Sequence, residues 1–447
     1  VAETEGVPYF LVEYLAVLAD SEAQAAGVVP VPRGVRSLLR SRVASVSQAA
    51  RQILSAAAVI GRSFDVDLVR ETSGRGEEET VSGVEELTAR GLVREAESAP
   101  EAAYDFTHDQ LRQLVHEETS LPRRRLLHRR AAEALARRSR PALGEGRAAV
   151  IAEHYRAAGD DRAAAHWFLG AGDASRRVYA NADALAHYRS ALALGGEDSA
   201  ALHEAIGDLE TLAGDYETAL ADYEAAAASA SVERQAGLEH KLGTVHERRG
   251  AWALAETHLS RALQLLPDDA GSGRPRVLAD LSLNTYRQGA RSRATAEARQ
   301  ALRLATDAGD LLALAQVHNL LGILSAAAGR HRPARRHFAD SLHLAEQLAN
   351  PAARIAALNN LALAERQDGK LERAIELTRT ALDACARLGD RHREAALRNN
   401  LADLLHQSGR HEPAMEELKK AVAIFAEIGQ GIPTEELQPE IWKLVEW

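Results

Sequence analysis

The sequence predicts a mainly α chain: a small non-repeating domain with a short hairpin, followed by a solenoid of paired helices. Three observations carry this. Apolar residues are 46% of 447, mostly Ala, Leu and Val, while aromatics are only 4%. That composition favours helix over a β-sandwich or barrel. A Gly-x4-Ala pattern recurs at a near-constant interval along the C-terminal half. Residues 33–140 lack that repeat and contain two short alternating segments.

Composition also bounds the setting. A chain of this length holds about two to four domains, or one domain and a repeat array. The single Cys385 excludes an internal disulfide and a cysteine zinc cluster, and it fits a reducing, cytoplasmic location. No apolar run is long enough to span a membrane, and no signal peptide opens the chain. The chain starts at Val1, and we expect it to be a piece of a longer protein. Its first 29 residues carry five acids and no Lys or Arg.

From the N-terminal side, Val35–Val46 has Val35, Leu38, Leu39 and Val43 at helical spacing. Gln48–Ile60 is a more apolar helix ended by Gly61, and Asp65–Glu71 and Val81–Arg90 are further helices. Gly91–Glu95 and Ala103–Phe106 alternate across a polar gap, which predicts a two-stranded hairpin. Helices followed by a small hairpin make a winged-helix arrangement. Residues 33–119 hold 11 Arg against 15 acids, a balance that argues against DNA contact by this segment. The run Arg123, Arg130 and Arg137 forms a basic stripe opposite Leu126, Leu127, Ala131 and Leu135. An amphipathic connector helix with a solvated basic side accounts for it; an acidic partner, phosphate or nucleic acid is the alternative.

Repetition dominates the C-terminal two-thirds of the chain. Gly214/Ala219, Gly250/Ala255, Gly289/Ala294, Gly329/Ala334, Gly369/Ala374 and Gly409/Ala414 share one spacing, and the glycines step by 36, 39, 40, 40 and 40 residues. Seven residues before each glycine stands a small residue (Gly207, Gly243, Ser282, Gly322, Ala362, Ala402), preceded by an aliphatic one. The glycine ends a first helix. The small residue and the alanine let the second helix approach closely. One such pair cannot bury its apolar face alone, so neighbours stack, with contacts expected only between adjacent pairs. Tyr179–Tyr188 and Gly159–Ala164 suggest two more degenerate turns.

These columns resemble the tetratricopeptide repeat over about residues 176–428. The resemblance implies a superhelix whose concave groove is lined by the first helices. Asn319, Asn359 and Asn399 each lie ten residues before a turn glycine, with Asn360 and Asn400 following. Such an amide ladder can hold the backbone of an extended peptide, or can merely tie neighbouring helices together.

A second resemblance rests on three strings. Thr4-Glu5-Gly6-Val7-Pro8-Tyr9-Phe10 resembles the Gly-x-Pro segment of STAND-type signalling ATPases. Leu54–Asp65 resembles the core helix of their winged helix, and Tyr104-Asp105-Phe106-Thr107-His108-Asp109 resembles their His-Asp sensor. The resemblance implies this domain order: 1–29, the end of the ATPase-associated helical region; 30–120, winged helix; 121–175, helical connector; 176–428, tetratricopeptide array. Residues 429–447 read as a segment that caps the last repeat through Ile441, Trp442 and Val445, or as a partner-docking peptide. It implies that Pro8, His108 and Asp109 contact ATP or ADP in the full-length parent.

No phosphate-binding loop is present. Of five lysines only Lys370 follows a glycine, and Leu371 comes next. No enzyme motif and no metal motif stand out; His331, His337 and His343 are six apart and rotate around a helix. We therefore expect no catalytic residue, no metal and no cofactor within this chain. The reading is a regulatory fragment that senses a protein, peptide or small effector for an ATPase, with transcription as the output the resemblance implies. The alternative is an adaptor that assembles protein partners without nucleotide control.

Overall fold

The structure, a computed structural model, describes residues 33–96, 103–138, 145–196, 198–267 and 273–429. The segments 1–29 and 430–447, with Pro8, Ile441, Trp442 and Val445, lie outside the described residues. The chain divides into two compact units, one up to Ala174 joined by residues 193–196, the other of residues 175–192 and from Asp198 onward.

The first unit begins with α1 (Arg33–Ala44), α2 (Gln48–Ile60), β1 (Ser63–Asp65), α3 (Val66–Ser73) and α4 (Glu77–Ala89). It continues through β2 (Val93–Glu95), β3 (Ala103–Phe106), α5 (Asp109–Glu118), α6 (Leu121–Arg138), α7 (Glu145–Ala158) and most of α8 (Asp161–Arg177). Helix α2 starts where the Ser47 side chain accepts from Ala50 N–H and stops at Gly61. Its Ile53 and Leu54 are 0% exposed in one core with Leu87 of α4, Leu92, Phe106 of β3 and Leu111 of α5, also 0% exposed.

The sheet differs from expectation. It has three antiparallel strands in the order β1-β3-β2, not two. Phe64 pairs with Tyr104, and Arg94 pairs with Asp105. Three residues are too few for alternation to show in a sequence. What holds β1 is tertiary: Phe64 is buried and its ring meets Tyr104 and Phe106 at 6.1 and 5.9 Å.

Two expected apolar positions are corrected. Leu38 and Leu126 are 45% and 38% exposed, while their neighbours Leu39 and Leu127 are fully buried. The basic stripe of α6 is partly spent inside the unit. Arg138 bonds Asp65 and Glu71, Arg137 bonds Glu71, and Arg130 donates to the Ser73 carbonyl. Between α6 and α7, His128 Nδ1 and His154 Nδ1 stand 2.9 Å apart, and burial pushes both imidazoles down to about 4.

The second unit starts from the end of α8 and α9 (Asn181–Ala193), then packs six helix pairs. These are α10 (Ser199–Ala213) with α11 (Tyr216–Ser229), α12 (Val232–Arg249) with α13 (Trp252–Leu265), and α14 (Arg274–Arg287) with α15 (Arg291–Ala308). Then come α16 (Leu311–Ala327) with α17 (His331–Gln347), α18 (Pro351–Gln367) with α19 (Leu371–Leu388), and α20 (Arg391–Gln407) with α21 (His411–Ile428). Each second helix also packs on the next first helix. The turn residues Gly214 and Gly250 are left-handed, with φ of 86° and 82°, as a helix-ending glycine requires.

The small column does what its spacing implies. A Cβ added at Gly207 would lie 2.8 Å from the Tyr223 ring, one at Gly243 would lie 2.8 Å from Leu259, and one at Gly322 would overlap the Phe338 ring. Gly322→Ala is therefore expected to destabilise the second unit by about 1–2 kcal/mol, because overpacking a buried seam outweighs the gain in helix propensity. Gly237, also helical, has nothing within 4 Å of a Cβ, and Gly237→Ala is expected to stabilise by up to about 1 kcal/mol. Urea denaturation of both variants reads the opposite signs.

One expectation fails. Contacts in the array do not run only between adjacent pairs, because α10 also touches α20. Asn181 Nδ2 donates to the Leu388 carbonyl at 2.9 Å. Tyr216 Oη and His392 Nδ1 lie 2.7 Å apart. Arg248 makes a two-pronged bond to Asp390 at 3.1 and 2.9 Å. The curvature accumulated over six pairs brings the last repeat back against the first.

Candidate functional site

The first helices of the array line a cleft. A cavity of about 360 Å³ has walls from α12, α14, α16, α18 and α20, including Arg248, Arg287, Asn319, Asn359, Asn360 and His392. A second space of about 310 Å³ adds Asp280, Gln316 and Asn350. Leu283, Asn319, Ile323, Ala356 and Arg393 border both, so the two adjoin.

The asparagines reach this cleft unevenly. Asn319, Asn359 and Asn360 are on its wall, while Asn399 and Asn400 are outside the walls of these two spaces. Asn399 is 9% exposed. The amides also bond across repeats: Asn360 Nδ2 donates to Asn319 Oδ1, and Asn400 Nδ2 donates to Asn359 Oδ1, both at 2.9 Å. These bonds tie neighbouring first helices at a fixed step. They engage the oxygens of Asn319 and Asn359, both residues of the cavity wall.

The charged wall is organised around Asp390, which is 1% exposed beside Arg248 at 16%. Asp390 also caps α20 by accepting from Arg393 N–H, and Arg393 Nη1 donates to the Ala352 carbonyl. Burial would raise the Asp390 carboxyl, but the Arg248 and Arg393 charges outweigh it and hold it at about 2. Burial, reinforced by the Arg248 charge, pushes His392 down to about 3. Burial raises Tyr216 to about 12. Arg287 pairs with Glu247 at 2.8 Å and lies over the Trp252 ring. The cleft thus presents an ordered polar surface with neutral imidazole and fixed charges. Sequence reasoning missed Arg248, Asp390, Tyr216 and His392; partners separated by 142 and 176 positions leave no local signal.

His108 and Asp109 lie in the first unit. His108 is the residue before α5, with extended φ and ψ of −142° and 135°. Asp109 opens α5 and accepts from Arg112 Nε at 2.7 Å and Gln113 Nε2 at 2.8 Å. The Arg112 hydrogen bond holds its carboxyl below the usual range. Thr107 Oγ1 bonds the carbonyls of Gly91 and Leu92, fixing this strand-to-helix junction. An imidazole beside a helix N-terminus fits an anionic phosphate, and the Asp109 charge is offset by Arg112. Cys385 is buried, its Sγ 3.3 Å from the Asp390 carbonyl, and burial pushes the thiol up to about 12. It is a packed, unreactive thiol.

The chain is mainly α, with an array of tetratricopeptide-like helix pairs. The tetratricopeptide repeat family profile matches residues 354–427. Among solved structures, a Signal Transduction ATPase with Numerous Domains (STAND) protein with a tetratricopeptide repeat sensor from Pyrococcus horikoshii is similar. The identity is 15%, over 89% of this chain and 59% of that one, with a TM-score of 0.48. This chain therefore spans less than two thirds of that protein's length. BtubC from P. vanneervenii is 17% identical over 50% of this chain and 94% of its own, with a TM-score of 0.36. A Rap protein in complex with competence and sporulation factor is 13% identical over 68% of this chain and 98% of its own, with a TM-score of 0.46. A sequence search of curated proteins finds no match. No helix among the described residues is long and apolar enough to cross a membrane.

Proposed function

We propose that this chain is the sensing and binding part of a larger STAND-type ATPase, and that the cleft lined by the first helices of its repeat array receives an extended peptide or a protein segment. The single observation that carries the reading is the cavity of about 360 Å³ walled by Asn319, Asn359 and Asn360. Two Nδ2 groups at a constant repeat step can donate to alternate carbonyls of an extended backbone. Apolar neighbours such as Ile323 and Ile355 can take its side chains.

The remainder rests on the sequence resemblance. Residues 30–120 act as the winged helix, a reading supported by the order of α2, α3, α4 and the β1-β3-β2 sheet. Pro8, His108 and Asp109 face ADP or ATP in the full-length parent, and the ATPase and output domains are supplied there. Control of transcription is the output this family resemblance implies. The chain itself carries out no catalysis and works in the cytoplasm.

The test is a display selection of random peptides on the protein, followed by titration of the selected peptides. Asn319→Ala with Asn359→Ala is expected to weaken their binding by more than about tenfold while helicity is unchanged, since two hydrogen bonds are lost. Peptides that bind the double variant as tightly as the native protein remove the cleft from the proposal. An array that works purely as an adaptor would show the same peptide binding without any change on adding ADP to the full-length parent.

A further inference from the structure

A second site lies between the two helices of one repeat. His318 on α16 and His337 on α17 bring their Nδ1 atoms to 3.1 Å. Asp340, one turn further along α17, places Oδ2 3.7 Å from His318 Nδ1. One ligand atom from each of the three lies within 4.8 Å of the others. We propose that His318, His337 and Asp340 bind a divalent transition cation of the zinc class, two imidazoles and one carboxylate leaving a further position for water.

The geometry suits such an ion. Two nitrogens each about 2.0–2.1 Å from a tetrahedral zinc stand roughly 3.3 Å from each other. The observed separation is within a few tenths of an ångström of that. Imidazole and carboxylate are donors that zinc, cobalt and nickel all accept. His318 is 21% and Asp340 44% exposed, so an ion can reach them. Burial keeps both histidines below the ordinary imidazole value, so each offers a lone pair at neutral pH.

Comparison with the other repeats sets this one apart. The same two positions, eleven before and eight after the turn glycine, hold Leu278 with Glu297 and Leu358 with Leu377 in two repeats. In the other three they hold His203 with Asp222 at 2.5 Å, Glu239 with His258 at 2.7 Å, and Arg398 with Glu417 at 2.6 Å, each an imidazole or guanidinium on a carboxylate. One turn further on they carry Ala225, Arg261 and Lys420, none of them a metal ligand. In the repeat turning at Gly329 the second position is another imidazole, and the residue one turn on is a carboxylate. Arg336 bears on both histidines and Arg330 on His337; their charge opposes a cation and weakens its binding. A bound ion would bridge α16 and α17 and stabilise that pair.

The experiment is calorimetric titration of the chelator-treated full chain with zinc, with thermal unfolding measured alongside. One cation per chain and a raised unfolding midpoint are expected. His318→Ala and Asp340→Asn should each lower affinity by more than about tenfold, with unchanged circular dichroism. His406 Nδ1 and His411 Nδ1, 3.2 Å apart at the Gly409 turn, and His128 Nδ1 and His154 Nδ1, 2.9 Å apart in the first unit, are rival chelating pairs. His411→Ala should leave the binding intact. No binding at about 100 μM zinc, or binding that His318→Ala spares, overturns the proposal.

Discussion

Replacing Asp390 with alanine is expected to cost the repeat unit about 3–5 kcal/mol, the largest effect of any single substitution considered. Asp390 and Arg248 are 1% and 16% exposed and bonded through both guanidinium nitrogens. Removing the carboxylate leaves the Arg248 charge without its partner in a largely buried site. It also strips α20 of its cap at Arg393 N–H. Asp390→Asn separates the two effects, because an amide oxygen can still cap the helix but carries no charge. Exchanging both partners for apolar residues, Arg248→Met with Asp390→Leu, should recover most of the loss, since breaking a buried pair costs more than replacing it. Hydrogen-exchange protection reads this locally. Amides of α10, α12 and α20 should lose protection, while those of α2 in the first unit keep theirs. Equal protection in native protein and Asp390→Ala would mean that the first and last repeats do not close on one another.

The second large effect is acid sensitivity. Burial pushes His392 down to about 3 and His246 down to about 4. A group whose folded value is depressed contributes stability that is fully present above its unfolded value, near 6.5, and is lost as pH falls toward the folded value. Each such histidine should cost up to about 1.4 kcal/mol per pH unit between 6.5 and its own folded value. Asp390, held at about 2, adds a further loss only below about pH 4. Urea midpoints of the repeat unit should therefore fall from pH 6.5 to pH 5, a loss that Glu210 partly offsets, because burial raises its carboxyl to about 7 and its protonation favours the fold as pH falls. His392→Phe removes the most depressed of four such histidines in this unit, the others being His246, His318 and His337. It forfeits the contact to Tyr216 at every pH, yet it should flatten the slope. The same slope in native protein and His392→Phe would rule out His392 as a source of the acid loss.

Much of the architecture is legible in the sequence alone. A column is readable when every copy faces the same local demand. The glycine must turn, Gly207, Gly243 and Gly322 must admit Tyr223, Leu259 and Phe338, and the alanine must sit in the seam. Each demand is met within one helix pair, so the spacing survives in the sequence. The strand Ser63–Asp65 was not legible, because its partners Ala103–Asp105 lie 42 to 38 positions away and three residues show no period. The asparagine ladder was readable as a spacing, but not its use. The bonds from Asn360 to Asn319 and from Asn400 to Asn359 depend on how far one repeat rotates from the next.

The site divides the same way. Asn319, Asn359 and Asn360 could be found by counting back from the turn glycines. His318 with His337 and Asp340 could have been found from the constant interval across each turn, but inspection of one helix at a time hid it. Arg248, Asp390, Tyr216 and His392 could not be found at all. By itself the sequence determined that this protein is a stack of helix pairs turning on glycine, because those rules act between residues a few positions apart. Only the tertiary structure decided that the stack closes, with a buried ion pair at the closure and an amide-lined cleft inside. Small rotations add over six repeats, and a sum of that kind is carried by no single stretch of chain.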